Sequence, residues 1–182
     1  MIYFTSDTHL GHDKPFIYKA RGFPDIKTHD AAIIQRWNEI ITPEDEVYIL
    51  GDLIFGDKDY GEECLKQLNG IKHFIRGNHD GKTKIEIYLK NSFIDEGYAQ
   101  VLKYKKYYFY LSHYPAVTTN GKIESLKQIS CNLFGHTHSK ELFYNDIPWM
   151  YNVAVDAHNC YPISIDQILD EMKEKFDKYL EN

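Results

Sequence analysis

The fold is decided by residues 73–80, which read His73-Phe74-Ile75-Arg76-Gly77-Asn78-His79-Asp80. The first part of this stretch is a short β-prone run of the kind that forms a buried strand. A glycine then permits a sharp turn, and three polar side chains follow it. The stretch therefore predicts a β-strand whose carboxyl end carries a polar cluster.

Four further apolar runs end in polar clusters in the same way. They are Ile2-Tyr3-Phe4 before Asp7-Thr8-His9, Val47-Tyr48-Ile49-Leu50 before Gly51-Asp52, Tyr108-Phe109-Tyr110-Leu111 before His113, and Asn132-Leu133-Phe134 before Gly135-His136-Thr137-His138. Ligands of open α/β sheets bind outside the carboxyl ends of the strands. The five clusters are therefore expected to converge on one site. Glycines 51, 77 and 135 would allow the close backbone approach that such a site needs.

Helix-like segments lie between several of these strands. The predicted helices cover residues 30–41, 61–68 and 82–89, and a last helix starts at the capping box Ser164-Ile165-Asp166-Gln167. A hairpin is predicted from residues 99–104 and 107–112, and a late strand from residues 151–155. This order predicts an α/β domain of stacked sheets with helices outside. Because no linker or repeat divides the chain, residues 1–182 are expected to form a single domain.

Composition bounds the class of protein. The 182 residues carry a formal net charge of −6, which does not favour long nucleic acid as a partner. The three cysteines are widely spaced without a CxxC pair, which disfavours both a disulfide framework and a thiolate zinc site. No signal peptide or membrane span is recognisable, so a cytoplasmic protein without a membrane partner is expected.

The clusters are rich in carboxylate, imidazole and amide side chains. These groups are ligands for hard to borderline divalent metals. Any one cluster alone, in a chain with nine histidines, would be read as a surface or core feature. All of them together, in one order along the chain, indicate a metal site.

The same residues resemble the five ordered motifs of the calcineurin-like metallophosphoesterases. The motifs are Asp7-Thr8-His9, Gly51-Asp52, Gly77-Asn78-His79-Asp80, His113 and Gly135-His136-Thr137-His138. The opening residues 5–12 and the late Asn152-Val153-Ala154-Val155-Asp156 also resemble the small bacterial and phage-type branch. The resemblance implies a four-layer α/β/β/α sandwich. Two mixed β-sheets would be flanked by helices, with a two-metal centre at the sheet edges.

The resemblance also implies roles for individual residues. The first metal would be held by Asp7, His9, Asp52 and His138, and the second by Asp52, Asn78, His113 and His136. Asp52 would bridge the two metals, and His79 matches the family's catalytic histidine. The protein-phosphatase branch extends the second motif to GDxxDRG, whose second Asp orients that histidine. Phe55 and Gly56 replace that Asp and the Arg here, so the partner of His79 is unassigned.

The resulting hypothesis is a phosphoesterase that cleaves phosphodiesters or phosphomonoesters of small molecules or nucleotides. A hydroxide bridging two divalent ions would attack phosphorus, with Mn²⁺ favoured over Fe, Zn, Ni or Mg. His79 would protonate the leaving oxygen or stabilise the phosphoryl charge, and Asn78 would assist the phosphate oxygens. Two alternatives remain, a metal-dependent nuclease and a non-catalytic binding scaffold. A homo-oligomer in which a second subunit completes the site also remains open.

Several polar residues near the motifs have two interpretations. His12 would contact substrate or be a loop histidine, and Arg76 would meet a phosphate or form a surface salt bridge. Asp80 would orient His79 or be structural. Asp156 and His158 would shape the rim of the site or play no part in it. His29 and His73 are expected to be structural.

Overall fold

The computed structural model describes residues 1–119 and 121–181. Its strands are β1 (Ile2–Thr5), β2 (Glu46–Leu50), β3 (Ile71–Ile75), β4 (Ile94–Asp95), β5 (Ala99–Tyr104), β6 (Tyr107–Ser112), β7 (Ser130–Phe134), β8 (Met150–Asn152) and β9 (Ile163–Ser164). Its α-helices are α1 (Pro15–Tyr18), α2 (Ile26–Ile40), α3 (Lys58–Leu65), α4 (Lys82–Lys90) and α5 (Ile165–Leu180). Within the described residues, no helix combines the length and apolarity that a bilayer crossing needs.

The strands form two mixed sheets. The first has the order β4-β3-β2-β1-β9, in which β1 to β4 run parallel and β9 is antiparallel to β1. The second has the order β5-β6-β7-β8, with an antiparallel β5-β6 hairpin beside parallel β7 and β8. Helices flank the sheets, which confirms the predicted α/β fold with two mixed sheets.

Side-chain alternation along β2 gives the first sheet two buried faces. Tyr48 and Leu50 point into a core shared with Phe109 and Leu111 of β6, so this core lies between the two sheets. Val47 and Ile49 point the other way, into a second core with residues of α2, α3 and α4. The sheet is therefore covered on one face by the second sheet and on the other by helices.

The last helix begins as the sequence predicts. Ser164 is its N-cap, and its side chain accepts a hydrogen bond from the backbone N–H of Gln167. Its apolar stripe is buried against the core between the sheets, as the helical spacing indicates. The predicted hairpin is also present, with β5 and β6 pairing from Ala99↔Ser112 to Tyr104↔Tyr107.

The predicted strand at residues 151–155 is wrong in its second half. Strand β8 ends at Asn152, because the chain then crosses from one sheet to the other. The N–H of Val153 still bonds the carbonyl of Phe134 in the second sheet, whereas the N–H of Val155 bonds the carbonyl of Ser6 beyond β1. This crossing brings the ends of the two sheets together at one edge.

Candidate metal centre

The polar clusters lie at the carboxyl ends of five strands that meet at this edge. Asp7 follows β1 and Asp52 follows β2, and the N–H of Asp7 continues the ladder to the carbonyl of Gly51. The other clusters follow β3, β6 and β7. The N–H of Gly135 bonds the carbonyl of His113 and so extends the pairing of β6 with β7. The second sheet joins the first where the N–H of His136 bonds Asp7 Oδ2.

Most of the predicted ligands have an unusual backbone. Five of the seven have positive φ values between 49° and 66°, namely Asp7, His9, Asp52, His136 and His138. A side chain in this left-handed region costs about 1–3 kcal/mol and persists where surrounding structure enforces it. Such residues cluster at functional sites, so the strained backbone at these strand ends indicates a functional site.

Two glycines permit the close approach of these strand ends. A Cβ on Gly135 would lie 1.9 Å from Ser6 Oγ and 2.3 Å from Asp7 Oδ2. A Cβ on Gly51, whose φ is +92°, would lie 2.4 Å from His113 Nδ1. No side chain fits at either position, so the predicted role of these glycines follows from steric exclusion.

One group of candidate ligand atoms surrounds Asp7. His138 Nε2 lies 3.8 Å and His9 Nε2 3.9 Å from Asp7 Oδ1, and these atoms lie within 4.8 Å of one another. Asp7 Oδ1 and both ring nitrogens of His9 are buried without a hydrogen-bond partner among the described residues. Such unpaired buried polar atoms are costly unless a cation satisfies them. This group therefore fits a divalent metal ion.

A second group lies around Asn78. Its Oδ1 is 2.8 Å from His113 Nε2 and 3.0 Å from His136 Nδ1, and His113 Nε2 is 3.5 Å from Asp52 Oδ2. Atoms that each lie about 2.1 Å from one cation are separated by about 3–3.5 Å, so the spacing suits a metal. His113 Nδ1 lies 2.7 Å from the carbonyl oxygen of Leu50. That carbonyl only accepts, which leaves Nε2 free as a ligand.

Burial also prepares the charge state of these groups. It raises the pKa of Asp7 and lowers the pKa of His9 to about 2, so His9 is a neutral imidazole with a lone pair to offer. Burial and the neighbouring His113 lower the pKa of His136. A neutral imidazole is the form that binds metal, and a divalent cation would offset the cost of burying Asp7 and Asp52.

Comparison with known proteins places the chain in a family. The model of the calcineurin-like phosphoesterases matches residues 1–171. The chain belongs to the calcineurin-like phosphoesterase family. The resemblance inferred from the sequence motifs is thereby confirmed, and the candidate ligand groups lie within the matched residues.

Several individual proteins are similar to this chain. An uncharacterized protein of Methanocaldococcus jannaschii is 32% identical over 174 residues, which cover 92% of this chain and 89% of the relative. The gene 66 protein of mycobacteriophage L5 is 35% identical over 83 residues, or 43% of this chain and 39% of the relative. The crystal structure of a protein of unknown function from Aquifex aeolicus matches with a TM-score of 0.68 and 25% identity. That match covers 93% of this chain and 98% of the other.

His79, the predicted catalytic histidine, stands at the open side of the centre. Its side chain is 44% exposed, and its Nε2 lies 4.0 Å from Asp52 Oδ2. The ring of Phe55 meets the His79 ring edge to face, with centroids 4.9 Å apart. Phe55 also stacks on His12 at 3.9 Å. The residue that replaces the protein-phosphatase Asp thus packs between two histidines of the site.

His12 lies against this aromatic contact rather than in the open site. It is 8% exposed, and its Nδ1 is buried without a partner among the described residues. Burial lowers its pKa to about 4, with His79 contributing. The structure therefore places His12 in the wall beside His79.

Asp80 is structural in the geometry observed. Its Oδ2 accepts hydrogen bonds of 2.8 Å from the backbone N–H groups of Asp52 and Gly77, and its Oδ1 accepts from the Tyr88 hydroxyl at 2.7 Å. These bonds use both carboxylate oxygens. Of the two interpretations of Asp80, the structure favours the one in which it ties two ligand loops together.

Arg21 is a site residue that the sequence pattern did not indicate. Its guanidinium bonds both oxygens of Asp156 at 2.9 and 2.8 Å and donates to the carbonyls of Thr8 and Asp7. Asp156 Oδ2 in turn lies 3.0 Å from His138 Nδ1. Arg21 therefore fixes both the first ligand loop and the carboxylate behind a candidate ligand.

The structure also shows the contacts of the other polar residues for which two roles were possible. Asp156 belongs to the site, whereas His158 bonds the carbonyl of Asn152 and stacks on Tyr151 behind it. Arg76 pairs with Asp95 on the flank of the first sheet. Two more histidines are structural, as expected. His73 bonds Glu96 and stacks on Tyr48, and His29 bonds Asp30 and supports Arg21.

Proposed function

We propose that the protein is a dinuclear metal-dependent phosphoesterase that prefers phosphodiester bonds of small molecules or nucleotides. The position of Asp52 is the observation that carries this proposal. Its Oδ2 lies 3.9 Å from His9 Nε2 in one ligand group and 3.5 Å from His113 Nε2 in the other. One carboxylate oxygen thus faces both groups, as a bridging ligand must.

The proposed ligand sets follow from this bridge. Asp7, His9, Asp52 and His138 would hold one divalent ion, and Asp52, Asn78, His113 and His136 the other. When bound, two such ions polarise phosphoryl oxygens and lower the pKa of a bound water toward neutrality. Mn²⁺ is our choice for both positions, because the ligand sets include carboxylate and amide oxygens and no thiolate.

His79 supplies the proton chemistry in this proposal. Its imidazole belongs to neither ligand set and its side chain is 44% exposed, so a phosphoester can reach it. Its ring nitrogen would donate a proton to the leaving oxygen or a hydrogen bond to the phosphoryl group. Asn78 would bind the metal through its Oδ1 and orient a non-bridging phosphate oxygen with its NH₂ group. The backbone N–H of His79 bonds Asp52 Oδ1 at 2.9 Å, which fixes the histidine beside the bridging carboxylate.

A non-catalytic scaffold is the competing function. A scaffold needs neither the exposed histidine nor a shared carboxylate between two ligand groups, and this chain has both. Long nucleic acid is not favoured, because such a partner usually needs an extended basic face and the net charge of the chain is −6. Small phosphodiesters therefore remain the substrate class that we propose.

The test is hydrolysis of bis(p-nitrophenyl) phosphate and p-nitrophenyl phosphate by metal-stripped protein reconstituted with Mn²⁺. We expect metal-dependent diester cleavage, a fall of about 10³-fold or more for Asp52→Asn, and about 10²- to 10⁴-fold for His79→Ala. His73→Gln is the matched control, since His73 lies outside the centre. Full turnover by Asp52→Asn would refute the dinuclear assignment. Absence of turnover by folded, metal-loaded wild type would favour the scaffold.

A further inference from the structure

A polar cavity lies behind the candidate metal centre. It has a volume of about 400 Å³ and shares Arg21 and Asp156 with the wall of the centre. None of the seven proposed metal ligands lines it. Its lining includes four cationic side chains, those of Lys19, Arg21, Arg36 and Lys140.

The charge of this cavity is unbalanced. Asp156 is the only carboxylate in its lining, and that carboxylate is already bonded to Arg21 and to His138. Across residues 1–119 and 121–181, no carboxylate lies within 4 Å of the charged groups of Lys19, Arg36 or Lys140. Arg21 is paired with Asp156, so the other three cations, Lys19, Arg36 and Lys140, line the cavity without a carboxylate within 4 Å among the described residues. The net charge of the whole chain is −6. Such a concentration of cations focuses a positive potential into the cavity.

Arg36 is held in place before any ligand arrives. Its guanidinium lies 5.5 Å from the ring centroid of Phe23 and 5.4 Å from that of Tyr161. Its NH1 donates to the carbonyl oxygen of Asn159 at 2.8 Å. Because the planar fork is fixed by these contacts, it loses little conformational entropy when it binds an anion.

We propose that this cavity binds a phosphoryl group. A fixed guanidinium with two lysines is suited to a multiply charged tetrahedral oxyanion, since an arginine fork binds two oxygens and lysines supply point charges. The volume exceeds that of a single phosphate, so the group attached to the phosphate also has room. Phosphate binding here does not depend on the proposed function, because the lining contains neither His79 nor any proposed metal ligand. Arg21 and Asp156 also support the metal centre, and the kinetic comparison below rests on the proposed function.

Two sources of the phosphoryl group fit this chemistry. One is a second phosphate on the substrate whose ester lies at the metal centre, since Arg21 both lines the cavity and bonds the carbonyl of Asp7. The other is free inorganic phosphate. Both require the same cations, and the experiment below separates them.

The direct test is a titration of the Mg²⁺-loaded protein with inorganic phosphate, followed by amide chemical shifts in ¹⁵N–¹H spectra. Saturable shifts of Gly22, Lys140 and Asn159 would report on the cavity, whereas shifts of Asn78 and His79 would report on the metal centre. The two readouts are independent, so a failure of the proposed enzyme and a failure of this site are distinguishable. Absence of saturable shifts in the cavity would overturn the proposal.

A charge-removing variant makes the test specific. We expect the double variant Lys19→Gln/Lys140→Gln to bind phosphate at the cavity at least about tenfold more weakly, because two of its cations are lost. Both lysines are exposed, so the fold should tolerate the change. The matched control is Lys103→Gln/Lys106→Gln, which removes two exposed lysines of the β5-β6 hairpin. Equal weakening in the control, or unchanged cavity binding in the double variant, would overturn the proposal.

Kinetics then identify the source of the phosphate. The KM values of the Lys19→Gln/Lys140→Gln variant are compared for thymidylyl-thymidine with and without a 5′-phosphate. A rise in KM confined to the phosphorylated dinucleotide assigns the cavity to the substrate's second phosphate. Unchanged KM values with loss of phosphate binding assign it to free phosphate.

Discussion

The Nδ1 atom of His138 lies 3.0 Å from Oδ2 of Asp156, and this contact fixes which nitrogen of the ring faces the metal centre. Carboxylates behind ligand histidines orient the ring and raise its basicity. Asp156 can do this only because Arg21 holds the same carboxylate from the other side. Burial alone would raise the pKa of Asp156, but the bonds from His138 and Arg21 keep it well below its ordinary value. The carboxylate is therefore charged throughout the neutral range.

The first prediction concerns this carboxylate. Asp156→Asn removes the charge behind His138, and we expect about 10- to 100-fold weaker binding of Mn²⁺. The measurement is competition for Mn²⁺ against a chelating indicator, with circular dichroism to verify the fold. The control is Asp170→Asn, which removes an exposed carboxylate of α5 that pairs with Lys173. Wild-type affinity in Asp156→Asn would show that His138 is not held in this way.

The second prediction separates the two interpretations of Asp80. Tyr88→Phe leaves Asp80 Oδ1 buried without its hydroxyl donor, which should lower the free energy of unfolding by about 1–3 kcal/mol. The value of kcat should stay within a few-fold of wild type, because among the described residues no hydrogen bond or ring contact joins the side chain of Tyr88 or Asp80 to that of His79. Urea unfolding and diester hydrolysis are the two measurements.

Tyr108→Phe serves as the control for Tyr88→Phe. Tyr108 is exposed on the second sheet, so its hydroxyl should contribute less than about 0.5 kcal/mol to stability. If Tyr88→Phe instead left stability unchanged and reduced kcat by orders of magnitude, Asp80 would be acting through His79.

The sequence predicted those parts of the site that follow from local pattern. Each apolar run ending in a polar cluster formed a strand, and parallel pairing brought the cluster ends to one edge. The capping box at Ser164 also gave the start of α5.

The rest depends on long-range contacts that leave no local pattern. Arg21 meets Asp156 across 135 positions of the chain, and no spacing rule connects them. The two-residue strand β9 lacks the length from which alternation is recognised. The crossing after Asn152 is set by the bridge between Ser6 and Ala154, which a run of apolar residues cannot distinguish from continued strand.

The third prediction concerns the aromatic contact beside His79. Phe55→Leu keeps an apolar side chain but removes the ring that meets His79 edge to face and stacks on His12. We expect kcat for the diester to fall about tenfold through loss of orientation, with KM changed less. Tyr98→Leu is the control, because Tyr98 is 72% exposed and lies away from the centre. An unchanged kcat in Phe55→Leu would exclude a positioning role for the ring.

The last prediction concerns the ion pair of Arg76 with Asp95, and it depends on pH. Bonds from Arg76 lower the pKa of Asp95, and the N–H of Gly97 adds another at 2.9 Å. A carboxyl whose folded pKa is depressed stabilises the fold above its unfolded pKa of about 3.9, and loses that contribution as pH falls through the folded value. At pH 7, Asp95→Asn should therefore unfold with about 1 kcal/mol less free energy than wild type. The difference should shrink as the pH is lowered toward 3, which urea unfolding at the two pH values measures.

Arg76→Gln should leave KM for the diester within about twofold, because the guanidinium is occupied by Asp95 and does not meet the phosphate. A tenfold rise in KM for Arg76→Gln would instead assign the arginine to substrate binding.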